Sequence, residues 1–279
     1  MISPLRGIRL VALDLDGTLL PASKVLTGRA IGVLRDVRAA GIEVTLATGK
    51  AWSLTRRYAE ELGLTAPCVA LDGSFVSTAG DRAIHRRTLA PGDVLAIHEA
   101  VLGIDVGWFY CHDRLGIRAH RRLERWMRHM RVCDVEIDVT DGAPHAADAP
   151  PHEAFGFTLI GRPDAVAEAH ASVAELGISG VDLLPLEFWE GHRQLHVRPA
   201  GADKRHGLSF VLRDLGLAPS QMLAAGDWWN DVTMLEMAGV AVAPANAVEG
   251  VRDLADHVLP GTCEEDAVVA FLEEALRGV

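Results

Sequence analysis

Asp14-Leu15-Asp16-Gly17-Thr18, directly behind an apolar run, is the segment best equipped for chemistry. Carboxylates at i and i+2 after a parallel strand face the crevice outside the strand's carboxyl end. Asp14 has the chemistry of a nucleophile and of a hard oxygen ligand for Mg²⁺. Asp16 is close enough to pass a proton to a leaving group. Gly17 and Thr18 would let the chain turn and offer backbone N–H groups to a phosphate. An acidic turn after a strand reads the same way, so this segment alone does not decide.

Three further clusters belong with it. Thr48-Gly49-Lys50 follows a second apolar run, which would set its hydroxyl and amides beside the first loop; a threonine there is also a common helix cap. Lys204 stands just before a helical pattern, where a lysine is ordinarily a solvated charge. Gly226-Asp227-Trp228-Trp229-Asn230-Asp231 follows another apolar run. Asp227 and Asp231 could complete a Mg²⁺ site or simply form an acidic first helical turn. Together the clusters supply carboxylates, a hydroxyl and a cation. Phosphoryl transfer needs that set: a nucleophile, an ion on the phosphoryl oxygens, and donors for the remaining oxygens. Without a cation, crowded carboxylates would repel one another and take up protons.

The elements that must position these residues are legible as patterns. Residues 8–13 are apolar apart from Arg9, as a strand buried on both faces requires. Thr27 reads as an N-cap, with Ile31, Leu34 and Val37 on one stripe and Gly41 past the end. A second strand over 42–47, a helix through Tyr58 to Leu62 and a short strand over 68–71 complete a β-α-β-α-β rhythm, which implies a parallel sheet covered by helices. The rhythm resumes with a helix around Leu208, strands over 222–225 and 240–243, a helix over 232–238 closed by Gly239, and a terminal helix over 264–276. Between these stretches lie strand-like runs at 106–111, 155–160 and 181–184, an Arg-rich helix over 121–131, and a Pro/Ala/Asp-rich loop over 141–152. The expected architecture is α/β: a Rossmann-like parallel-sheet core over 1–84 and 194–279, with an inserted α+β module over 85–193.

Composition narrows the partners. At 279 residues the chain is near two domains of about 150 each. Its net charge of −11 repels a phosphate backbone, which argues against nucleic acid. Four scattered cysteines and twelve histidines show no metal-ligand spacing, so neither a disulfide framework nor a zinc site is expected. The start carries carboxylates inside its apolar run and does not read as a signal peptide, and no apolar stretch approaches about 18 residues. The expectation is a cytoplasmic protein away from membranes, a monomer or homodimer.

The segments DLDGTLL, TGK after the second strand, GADK and GDWWND, with the tail GVAVAPANAVEGVRDLADHVL, resemble the haloacid dehalogenase (HAD) superfamily, and within it the Cof-type sugar-phosphatase branch. The resemblance implies an aspartyl-phosphate on Asp14, with Asp16 as general acid and then base. It implies Thr48, Gly49, Lys204 and Asn230 around the substrate phosphate. Mg²⁺ would be held by the Asp14 carboxylate, the Asp16 carbonyl and Asp227, with Asp231 supporting that shell. The insert would be an α/β cap, and the substrate a small phosphate ester, a sugar phosphate first of all. A phosphomutase or phosphotransferase, a receiver-like switch and a catalytically silent sugar-phosphate-binding protein are the rival readings. The sequence departs from the family at Asp72-Gly73-Ser74, where Asn-Gly-Ala is common, and at Arg205, His196, Trp228 and Trp229. The tryptophans could stack on a sugar ring or pack into the core. His112, Arg118, His120, Glu187, Trp189, His192 and Arg193 are the insert's candidates for facing a substrate.

Overall fold

The structure, a computed structural model, describes residues 3–112, 117–120, 137–140, 153–187 and 191–278. The chain forms two compact units, Met1–His85 with Asp203–Val279, and Arg86–Ala202. In the first half of unit one run β1 (Leu10–Leu13), α1 (Gly28–Ala39), β2 (Glu43–Leu46), α2 (Trp52–Glu61), β3 (Cys68–Ala70), β4 (Phe75–Ser77) and β5 (Ala83–Arg86). Unit two holds α3 (Pro91–Val101), β6 (Val106–His112), β7 (Ile117–His120), β8 (Ile137–Thr140), β9 (Ala154–Gly161), α4 (Pro163–Glu175), β10 (Val181–Glu187) and β11 (Arg193–Pro199). Unit one resumes with α5 (Lys204–Leu215), β12 (Met222–Ala225), α6 (Val232–Met237), β13 (Val240–Ala243), α7 (Glu249–Leu254), β14 (His257–Val258) and α8 (Ala267–Leu276).

The core sheet of unit one has the order β14-β13-β12-β1-β2, all parallel, and the bridge Ala47–Val69 extends it to β3. All four residues of β1 are buried. Leu10 and Ala12 pack with Leu208 and Val211 of α5 and Met234 and Leu235 of α6. Side chains alternate across a strand, so Val11 and Leu13 face the opposite side, and they are buried too. This explains the unbroken apolar run. The Thr27 hydroxyl caps α1 by accepting from the Ala30 N–H at 3.0 Å. The buried stripe of α1 is Ala30, Val33, Leu34 and Val37, with Ile31 half-buried at its margin. The terminal helix starts at Ala267, after a short 3₁₀ turn at Cys263–Glu265 whose N-cap Thr262 N–H donates to Glu265.

Unit two is a six-stranded sheet in the order β10-β11-β9-β6-β7-β8, antiparallel except for the β7–β8 pair. Helices α3 and α4 cover one face, where Ile97, Val101, Val166 and Val173 meet Trp108, Tyr110, Phe157 and Leu159. The Tyr110 and Phe157 rings stack with centroids 5.7 Å apart. Because β11 is hydrogen-bonded between β10 and β9, this unit runs on to Ala202 rather than ending at 193. The Arg-rich segment 121–131 and the loop 141–152 lie outside the described residues.

Candidate active site

Strand register brings the loops together. Leu13 is level with Leu46 on one side and Ala225 on the other, so three parallel strands end side by side. The ladder carries into the loops: the Asp14 N–H donates to the Ala225 carbonyl at 3.0 Å, Ala47 to Leu13 at 2.9 Å, and Thr48 to Val69 at 3.0 Å. The chain leaves β1 toward β2 on one side, while β12 flanks it on the other. Loops that diverge at such a point open a crevice.

Lys204 reaches this crevice through a close helix approach. The Asp203 carboxylate caps α5 by accepting from the His206 N–H at 2.7 Å. Gly73, at φ +97°, lies so near that an added Cβ would stand 1.9 Å from the Asp203 carbonyl oxygen. The first turn of α5 is thereby seated on the loop after β3, and Lys204 is fully buried. Its Nζ donates to Asp14 Oδ1 at 2.6 Å and to Asp231 Oδ1. An ammonium has three donors, so these two bonds leave one for a ligand.

Asp231 and Asp227 are held in turn. Asp231 Oδ2 accepts from the Asp227 and Trp228 N–H groups, each at 3.0 Å. Asp227 Oδ1 accepts from the Thr18 hydroxyl at 2.8 Å. Gly17, at φ +81°, makes room for this carboxylate: a Cβ there would sit 2.2 Å from Asp227 Oδ2. Thr18 therefore acts through its hydroxyl. Its N–H, expected to face a phosphate, closes the local turn onto the Leu15 carbonyl instead.

Asp14, Asp227 and Asp231 each offer an oxygen within 4.8 Å of the others, and all three are buried. Burial, together with Asp231 and Asp227, pushes the Asp14 carboxyl well above its ordinary range, against the pull of Lys204. Burial and then Asp231 push Asp227 up to about 7. Burial opposes the charge of Lys204, but Asp14 and Asp231 outweigh it and keep the ammonium protonated. Hard oxygen donors crowded together, two of them raised for want of positive charge, fit a divalent cation such as Mg²⁺. Both oxygens of Asp231 already hold hydrogen bonds, which suits a supporting place better than that of a direct ligand.

Asp16 lies at the exposed side of this cluster. Its two oxygens are each 2.6 Å from an ammonium, Oδ1 from Lys24 and Oδ2 from Lys50. Burial pushes the Asp16 carboxyl up, but Lys50 and Lys24 outweigh it and hold it below the usual carboxylate range. The Thr48 hydroxyl is buried and accepts from the Lys50 N–H at 3.2 Å, which leaves its own proton to donate. Asn230 Nδ2 donates to Asp72 Oδ1 at 2.9 Å. Asp72 also overlies Gly49, where an added Cβ would meet its Oδ2 at 3.0 Å. Trp228 and Trp229 are 39% and 55% exposed, so neither is a core residue; the Trp229 ring lies over Gly250 of α7.

Sequence reasoning missed Lys24 and Asn246. Asn246 Nδ2 donates to the Gly17 carbonyl at 2.7 Å, and its Oδ1 accepts from the Cys263 N–H at 2.9 Å, so it braces the turn that makes room for Asp227. Its position just after β13, one more strand end, was the available signal. In unit two His112 and His192 are half-buried and Arg193 is exposed. Trp189 and the side chains of Arg118, His120 and Glu187 lie outside the described residues.

Acidic loops, a hydroxyl and a lysine gathered at the carboxyl ends of parallel strands define a Rossmann-like hydrolase site of the phosphoryl-transfer type. The family model of haloacid dehalogenase-like hydrolases matches residues 11–272. The chain belongs to that family. It is 29% identical over 97% of its length to a phosphoglycolate phosphatase of Methanopyrus kandleri, covering 98% of that protein. It is 27% identical over 95% of its length to a 5-amino-6-(5-phospho-D-ribitylamino)uracil phosphatase of Bacillus subtilis, covering 96% of it. A haloacid dehalogenase-like hydrolase from Bacteroides thetaiotaomicron shares the fold at a TM-score of 0.84, with 22% identity over 96% of this chain and 99% of that one. Among the described residues no helix is long and apolar enough to cross a membrane.

Proposed function

We propose that this chain is a Mg²⁺-dependent phosphatase that hydrolyses a small phosphorylated metabolite, a sugar phosphate first of all, through a phosphorylated Asp14. The observation that carries the reading is the meeting of Asp14, Lys204, Asp227 and Asp231 in one buried cluster. Two relatives with different leaving groups, glycolate and a ribitylaminouracil, are phosphatases by name, which supports hydrolysis and leaves the alcohol open.

In this reading Asp14 and Asp227, with the Asp16 carbonyl, would hold Mg²⁺, which would supply positive charge to the phosphoryl oxygens. A carboxylate oxygen of Asp14 attacks phosphorus as the bond to the leaving oxygen breaks, and Asp16, which has to take up a proton from solvent before this step, gives it to that oxygen. Asp16 then takes a proton from the water that attacks the phosphorylated Asp14. The Asp14–phosphorus bond breaks, inorganic phosphate departs and the carboxylate returns. Lys204 and the Thr48 hydroxyl hold phosphoryl oxygens as charge shifts onto them. Unit one carries this chemistry, and residues 86–202 are the inserted cap that the family resemblance implies.

Asp14→Asn keeps the shape and removes the nucleophile. Hydrolysis of p-nitrophenyl phosphate is expected to vanish with the circular dichroism spectrum unchanged, and full activity in that variant would refute the assignment. A chelator silences the wild-type enzyme and added Mg²⁺ restores it. Free phosphate as the product separates hydrolysis from transfer to another alcohol.

A further inference from the structure

Two ammonium groups attend a single carboxylate at Asp16, and each stands 2.6 Å from one of its oxygens. The trio lies at the exposed side of the cluster. The Lys24 side chain is 35% exposed and that of Lys50 12%. Lys24 is aimed by its backbone. It holds the left-handed conformation at φ 58°, its N–H donates to the Pro21 carbonyl at 2.9 Å, and its own carbonyl accepts from the Tyr58 hydroxyl at 2.8 Å. A non-glycine residue in that conformation is uncommon, and here two hydrogen bonds impose it.

We propose that Lys24, with Lys50, forms a subsite for a second oxyanion carried by the leaving group, so that preferred substrates are phosphate monoesters whose alcohol bears a carboxylate or another phosphate. The inference rests on the phosphatase reading of this same site and names the substrate class within it. To protonate a leaving oxygen, Asp16 has to turn one oxygen toward it, yet both are engaged by ammonium groups. An oxyanion on the leaving group can take over the Lys24 ammonium, whose partial exposure makes it the accessible one. That exchange frees Asp16 Oδ1 beside the ester oxygen. A neutral alcohol offers no such exchange. It leaves Asp16 bound on both sides, and its reaction must first break an ion pair without replacement. Charge-assisted hydrogen bonds of this kind discriminate by about tenfold to a hundredfold. Lys24 is thus a specificity residue for the leaving group.

The test is kcat/KM for two matched pairs: phosphoglycolate against 2-hydroxyethyl phosphate, and glucose 1,6-bisphosphate against glucose 1-phosphate. The wild-type enzyme is expected to favour the charged member of at least one pair by about tenfold or more. Which pair it favours tells a carboxylate from a second phosphate. Lys24→Gln loses most of that preference, because the charged ester loses its ammonium and slows while the neutral ester, with no ion pair left to break, does not slow, and Lys24→Arg retains it. Equal kcat/KM within both pairs overturns the inference, as does a Lys24→Gln enzyme that slows both members alike. Failure of the underlying reading looks different: no ester is hydrolysed at all, or Asp14→Asn hydrolyses them as fast as the wild type, and the inference falls with it.

Discussion

Unit one buries Asp14, Lys204, Asp227 and Asp231, whereas the buried polar side chains among the described residues of unit two are His98 and Thr158. The second interior is aromatic and aliphatic, with Trp108, Tyr110 and Phe157 in mutual ring contact. Burying four ionisable groups around one point costs free energy that ordinary packing would avoid. Such departures from a well-packed apolar interior concentrate where function requires them. The contrast teaches where to look: unit one holds a few charged side chains in fixed contact in its interior, while the interior of unit two is built from many apolar contacts.

Lys204→Met is the harshest way to break that contrast. It leaves Asp14 and Asp231 buried without their cation, which costs about 3–5 kcal/mol, and it removes a phosphoryl-oxygen donor whose loss costs about a hundredfold to a thousandfold in kcat. Urea unfolding and steady-state kinetics check both. A variant as stable and as active as the wild type would mean that the buried charges are incidental.

A matched pair of glycines sharpens the comparison. Gly17 and Gly177 both have positive φ, at +81° and +62°, so alanine at either is expected to cost about 1–2 kcal/mol in stability. Gly177 has open space around it, whereas an added Cβ at Gly17 would press on Asp227. Gly17→Ala should therefore lose at least about tenfold in kcat/KM, and Gly177→Ala none. Equal kinetic effects would show that backbone strain, rather than displacement of Asp227, is what matters.

The mildest probe is pH. The Asp227 carboxyl, pushed by burial up to about 7 without a metal, must lose its proton to bind one. The Mg²⁺ concentration for half-maximal activity should rise as pH falls below 7, by up to about tenfold per unit, and level off above about pH 8. The stability linkage has the matching sign. A folded value above the unfolded one of about 3.9 means that the metal-free protein loses this contribution as pH rises through the range up to 7, and Mg²⁺ returns it. Thermal melts at pH 6, 7 and 8 with and without Mg²⁺ read this out. A metal requirement that is flat across that range would place the ion elsewhere.

Much of this arrangement was legible in the residues. Apolar runs followed at once by Asp14, Thr48 and Asp227 mark strand ends, and parallel pairing brings strand ends together whatever their separation in sequence. Lys204 was legible through the helix that begins with it. The rest depends on turns that spacing does not encode. Lys24, Leu71 and Asp72 all take positive φ without being glycine. The first aims an ammonium at Asp16, and the other two form the bend on which α5 is seated. Thr18 has a hydroxyl and an N–H equally able to serve a ligand, and only the fold decides that the hydroxyl goes to Asp227. Trp228 and Trp229, left open in the sequence between a sugar-stacking and a core place, are exposed at a short 3₁₀ turn, Trp229–Asp231, ahead of α6.

The account turns on Asp14 becoming covalently phosphorylated. Rapid acid quenching of the Mg²⁺-loaded enzyme with phosphoglycolate, followed by borohydride reduction and peptide mass mapping, tests this directly. Reduction of an acyl phosphate converts the aspartate to homoserine, and the account predicts that change at position 14 alone, absent without substrate and absent in Asp14→Asn. Steady turnover with an unmodified Asp14, or with the modification at another carboxylate, would contradict it.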